Sequence, residues 1–181
     1  MNTPPSGDDA PAASSKHDNS DGAISARAVT INRPVAEVFA YFRDFANLPT
    51  FMDNVVRIDV LDAGRSHWVV KAPAGKTVEW DARITDEREN ALLAWASEPG
   101  ADIENSGRVE FRDAGARGTV VTATIAYDPP AGVVGKLIAK MFQREPAIQA
   151  RRDLRRFKQL METGEIATAS FTRKQREEEA A

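Results

Sequence analysis

The chain has 181 residues, of which 42% are hydrophobic and 28% charged, with a net charge of −3. That is enough apolar material for one domain with its own core, and the slightly acidic balance argues against a nucleic-acid protein, which would carry a basic face. There is no cysteine and there are two histidines, which excludes disulfide scaffolds, thiol nucleophiles, cysteine metal sites and a histidine-rich metal centre, so neither a metal nor a cofactor is expected.

Residues 1–23 are mostly Pro, Ser, Ala, Asp and Gly. They offer little to bury and are expected to be a disordered tail. They also lack the basic start and apolar stretch of a secretory signal. No apolar run approaches the roughly 20 residues of a membrane span. A cytoplasmic protein without an integral membrane segment is therefore expected. The domain should run over 24–164, with 165–181 a second mobile tail.

Ile24–Ile31 reads as a strand, and Asn32-Arg33-Pro34 stops it. Pro34 suits the start of a helix in which Val35, Val38, Phe39 and Phe42 recur at helical spacing. A second short helix is predicted from Asp44 to about Asn54, with Phe45, Leu48, Phe51 and Met52 on its apolar side. Alternating segments follow: Val56/Ile58/Val60, Trp68/Val70, Val78/Trp80/Ala82/Ile84, Leu92–Ser97, Val109/Phe111 and Val121/Ala123/Ile125/Tyr127. Gly64, Pro73–Lys76, Asn90, Pro99-Gly100 and Gly115–Gly118 punctuate them as turns. After Asp128-Pro129-Pro130 a long helix is predicted. Its apolar side carries Val134, Leu137, Ile138, Met141 and Phe142, then Ala147, Ala150, Leu154, Phe157 and Met161. Pro146 should kink or restart it, and Gly164 should cap it.

Strands joined by short loops pair antiparallel, and alternation leaves one wet face and one that needs a cover. The expected class is therefore α+β, with a curved antiparallel sheet of about seven strands wrapped round a long C-terminal helix and two short helices after the first strand. One helix does not fill so wide a sheet. Trp68, Trp80, Trp95, Phe111 and Tyr127 on the sheet are predicted cavity-lining residues. Phe45, Phe51 and Met52 from the short helices, and Leu137, Met141 and Phe142 from the long one, complete the wall. Ala82, Ala94, Gly107 and Ala123 are read as the small residues that leave room, although the same pattern fits an ordinary filled core. Asn105 falls on the Gly107–Val109–Phe111 side and is a candidate for orienting a ligand near the cavity mouth; the alternative is an irregular strand start.

The polar residues point away from catalysis. His67 is placed opposite Trp68 in the alternation, on the outer face. Glu79 and Asp81 flank Trp80, so they read as a solvated charge ladder with Arg83 rather than a carboxylate pair. Arg151, Arg152, Arg155 and Arg156 read as a solvated basic face near a helix C-terminus. Gly132 and Gly135 lack the spacing and the GK[ST] of a phosphate loop. No catalytic residue is assigned.

The strings "VTINRPVAEVFAYFRDFANLPTFM", "SHWVVKAPAGKTVEWDARI", "AWASEPGADIENSGRVEF", "YDPPAG" and "DLRRFKQLMETGEI" resemble the START-like superfamily. That superfamily holds the polyketide cyclase/dehydrase, birch-pollen-allergen-like and coenzyme Q-binding START proteins. The resemblance covers about 23–166 and implies a helix-grip fold with an internal cavity. The function it suggests is binding or transport of a small hydrophobic ligand such as a lipid, a quinone or an aromatic polyketide. A cyclase or dehydratase is the alternative, and a protein-interaction module the next.

Overall fold

The computed structural model describes residues 23–101, 103–128 and 146–166. The two predicted tails, apart from residue 23 and residues 165–166, lie outside the described residues, as do Leu137, Met141 and Phe142. Seven strands are present: β1 (Ala23–Ile31), β2 (Val55–Val60), β3 (Arg65–Lys71), β4 (Thr77–Arg88), β5 (Leu92–Ser97), β6 (Glu104–Asp113) and β7 (Thr119–Asp128). They form one curled antiparallel sheet in the order β1-β7-β6-β5-β4-β3-β2. This is the predicted helix-grip class.

The register explains which side chains go inward. Trp68 pairs with Trp80, Val109 with Ala123 and Val121 with Val29. All of these are buried, so they share the concave face. Strict alternation places Ala94 on the opposite face from Trp95, where it pairs with Arg108. The expectation that Ala94 lines a hollow is corrected on that ground. At the β6–β7 turn Gly118 has φ 90, and a Cβ there would come within 2.1 Å of the Ile31 carbonyl oxygen. Only glycine lets this turn pack against the end of β1.

Helix α1 (Val35–Arg43) buries Val38, Phe39 and Phe42 against the concave face. The expected second α-helix is instead a 3-10 turn over Phe45–Thr50, with Pro49 inside it. Pro49 has no N–H to bond back to Phe45, so the segment does not propagate as an α-helix. The Asp44 carboxylate caps the turn by accepting from the Ala46 N–H at 3.1 Å. Phe45, Leu48 and Phe51 are buried, and Met52 packs against them half-buried.

The described part of the C-terminal helix is α2 (Pro146–Thr163). Ala150, Leu154 and Phe157 are buried, and the helix lies over β1. Its last turns are clasped to the β1–α1 corner. The Asn32 N–H donates to Glu162 Oε1 at 2.6 Å, Lys158 Nζ donates to the Thr30 carbonyl at 2.7 Å, and Arg33 Nε donates to the Met161 carbonyl at 2.9 Å. Burial pushes the Glu162 carboxyl upward, but the Asn32 N–H and the Lys158 ammonium outweigh it and hold the carboxyl below its ordinary range. Gly164 has φ 77, and its N–H bonds the Leu160 carbonyl at 2.8 Å, which ends the helix.

Candidate functional site

The concave face is an aromatic block. Trp68 stacks on Trp80 at 6.1 Å between ring centroids and on Trp95 at 5.9 Å, with interplanar angles of 14° and 17°. The second contact reaches across β4, which Ala82, fully buried and small, permits. Phe45 meets Trp68 and Trp95 edge-on at 5.7 and 5.5 Å. Phe42 touches Phe51, Phe111 and Phe157, and Phe51 stacks on Phe157 at 4.6 Å. Gly107 makes room for a ring of the protein itself. A Cβ there would lie 2.1 Å from Cζ2 of Trp95.

Of the predicted lining residues, Trp68, Trp80, Trp95, Phe111, Phe45 and Phe51 are brought together in this block, with Met52 beside it. The backbone of Tyr127 pairs with Asn105 and Ala23.

The polar atoms within the block differ in how they are satisfied. Trp68 Nε1 donates to Ser66 Oγ at 2.9 Å, and both residues are buried. Nothing in the periodicity singles out Ser66 beyond its place two residues before Trp68. Asn105 is 8% exposed and Trp80 is 5% exposed. The Asn105 N–H donates to Ser97 Oγ at 3.0 Å, yet Asn105 Oδ1 and Trp80 Nε1 are buried with no hydrogen-bond partner. Leaving such a group unpaired costs about 1–3 kcal/mol.

A cavity of about 610 Å³ adjoins this block at Phe45 and Ser66, between α1 and the β2–β3 and β4–β5 turns. Ala36 and Ala40 are too short to close the gap, and Phe39, Phe45 and Ile84 form its apolar floor. Arg43 spans it, donating to Glu87 Oε1 at 2.7 Å and to the Ala63 carbonyl at 2.9 Å.

On α2 a polar cluster faces the turn before β2. Arg156 pairs with Asp53 at 2.5 Å, and its buried Nε has no partner. The expected solvated arginine face is therefore corrected at Arg156, which is drawn in by a carboxylate 103 residues earlier in the chain. Beside it Asp153 is half-buried and accepts from Gln149 Nε2 at 3.0 Å. Burial pushes its carboxyl up to about 7; the neighbouring Asp53 carboxylate adds to the rise, while Gln149, the Asp53 backbone and Arg156 oppose it.

On the convex face His67 Nδ1 lies 2.7 Å from Asp81 and Nε2 lies 3.3 Å from Glu79. The hydrogen bond to Asp81 raises the imidazole pKa above its ordinary value. This places His67, Glu79 and Asp81 on the outer face, together as one charge cluster.

A family model described as polyketide cyclase / dehydrase and lipid transport matches residues 23–162. Among solved structures the chain is similar to protein DR_A0006 from Deinococcus radiodurans, with 42% identity, 79% of this chain and 100% of that chain covered, and a TM-score of 0.64. It is also similar to protein TTHA0849 from Thermus thermophilus, with 22% identity, 77% and 97% covered, and a TM-score of 0.63. A third, the Zhui aromatase/cyclase from Streptomyces sp. R1128, has 14% identity, with 81% and 99% covered and a TM-score of 0.61; the second and third likenesses show the fold. No protein of curated function matches the chain. Among the described residues no helix is long and apolar enough to cross a membrane.

Proposed function

We propose that this chain, which belongs to the polyketide cyclase / dehydrase and lipid transport family, binds a small hydrophobic ligand against the concave face of its sheet. The observation that carries this reading is two buried, unpartnered polar atoms, Trp80 Nε1 within the aromatic block and Asn105 Oδ1 on β6. An apolar surface with a few unsatisfied polar atoms suits a mostly apolar molecule that bears a hydroxyl or carbonyl oxygen. The wall comprises Phe45, Phe51, Met52, Trp68, Trp80, Trp95, Asn105 and Phe111, with Tyr127, Leu137, Met141 and Phe142 proposed to complete it.

Native mass spectrometry of freshly purified protein and thermal shifts with fatty acids, quinones and aromatic polyketides test this reading. A bound ligand raises the melting temperature by mass action. Absence of both a co-purified mass and any shift across the three classes overturns it.

A further inference from the structure

The cavity between α1 and the hairpin turns carries an imbalance of charge that the concave wall lacks. Its arginines are both already paired: Arg43 with Glu87 at 2.7 Å and Arg65 with Glu98 at 2.7 Å. Its remaining charged walls are three carboxylates, Asp44, Asp62 and Glu89. Asp44 and Asp62 accept hydrogen bonds from backbone N–H groups, of Ala46 and of Gly64 and Arg65 respectively. Asp62 also contributes to the field around Arg65. Around this one cavity stand two cations and five carboxylates, Glu87 and Glu98 included.

The floor beneath them is apolar and aromatic. Phe39 and Phe45 are buried, with Ile84 half-buried between the turns and α1. A cavity of about 610 Å³ falls within the range of small-molecule sites. An anionic ligand meets excess negative charge and no guanidinium that is not already paired.

We infer that this cavity is a second binding site, adjoining the concave wall at Phe45, that takes a small organic cation with an apolar body, an amine on an aromatic or alkyl frame. The apolar body covers Ala36, Ala40, Val60 and Ile84, and the ammonium sits among Asp44, Asp62 and Glu89. The site shares Phe45 with the concave wall but does not require the ligand proposed there.

The test uses the full chain and three probes of one shape: naphthylmethylamine, the neutral naphthylmethanol and the anionic naphthoate. Binding is followed by chemical-shift changes at Ala36, Ala40 and Ile84, with Trp80 and Asn105 as reporters of the concave wall. The amine should bind this cavity about tenfold more tightly than the alcohol at low ionic strength, and naphthoate should not bind it. The preference should shrink as salt is raised, because the carboxylates are near solvent.

Two variants separate charge from shape. Asp44→Asn/Asp62→Asn/Glu89→Gln keeps side chains able to cap the same backbone N–H groups; it should abolish the preference for the amine and leave the melting temperature nearly unchanged. Ala40→Phe fills the space and should block both the amine and the alcohol. Equal binding of amine and alcohol, an unchanged preference in the triple variant, or shifts confined to Trp80 and Asn105 would each overturn the inference.

Discussion

Replacing Gly107 by alanine puts the aromatic block to a quantitative test. The added methyl would lie 2.1, 2.4 and 2.6 Å from Cζ2, Cε2 and Cη2 of Trp95, where carbon atoms settle at about 3.5–4.0 Å. The indole must therefore retreat by more than an ångström. It has nowhere to go, being 3% exposed and fenced by Trp68 at 5.9 Å and Phe45 at 5.5 Å. Overpacking of this kind costs about 1–3 kcal/mol, and two disturbed ring pairs add about 0.5–1.5 kcal/mol each. The intrinsic gain of alanine over glycine in a strand returns about 0.5–1 kcal/mol. The net expectation is a loss of about 2–4 kcal/mol, read from urea unfolding followed by far-UV circular dichroism. In a Trp95→Leu background, where the ring is gone, the same substitution should cost little, and a double-mutant cycle isolates the difference. A loss below about 0.5 kcal/mol, or one that persists in full without the indole, would refute the reasoning.

Trp80→Phe removes a buried N–H that has no partner, so it should lower stability by less than the 3–5 kcal/mol typical of losing a large core side chain. It should weaken the binding of oxygen-bearing ligands more than that of hydrocarbons, as isothermal titration would show. Asp153 holds its proton up to about pH 7 in the folded protein, against an ordinary value of 3.8. The folded state thus binds more protons between these values, and stability falls as pH rises through that window. Asp153→Asn should match the wild type near pH 4 and exceed it at pH 8, by up to about 4 kcal/mol, in urea titrations at the two pH values. For His67 the folded pKa lies above the ordinary 6.5 because of Asp81. Its contribution is complete below pH 6.5 and is lost as pH rises through the folded value. His67→Gln should flatten the stability profile above pH 6.5, and an unchanged slope there would sink the assignment.

The strands are legible because burial on one face writes a period of two into β4 and β6, and Trp80 and Phe111 go inward on that basis alone. His67, Glu79 and Asp81 follow by the same alternation to the outer face. What periodicity does not carry is the lean of a side chain across its neighbours. Gly107 looks like vacant space in the sequence, and only the fold shows that the Trp95 indole occupies it. The second helix fails for a local reason, since four apolar residues at helical spacing count for less than Pro49. Arg156 departs from its expected place for a distant one, because its partner Asp53 belongs to a turn that the helix meets only after folding. The cavity beneath α1 needs Ala36 and Ala40 to face the β2–β3 and β4–β5 turns, a meeting that neither segment announces by itself.

The strand order also bears on how the chain assembles. Strands β2 to β7 pair as successive hairpins, each closing over a short turn. The pairing of β1 with β7 joins residues no nearer in sequence than Ile31 and Thr119, 88 positions apart. The entropy of closing that loop is offset only when both the clasp from α2 and the packing of α1 follow. Together with the packing of α2 on β1, this pairing supplies the most sequence-distant contacts among the described residues, and it makes closure of β1 the expected slow step in refolding. During synthesis β1 is made first and must wait until β7 has left the ribosome. In that interval the unpaired β1 and the apolar face of α1 are the surfaces a chaperone would need to shield.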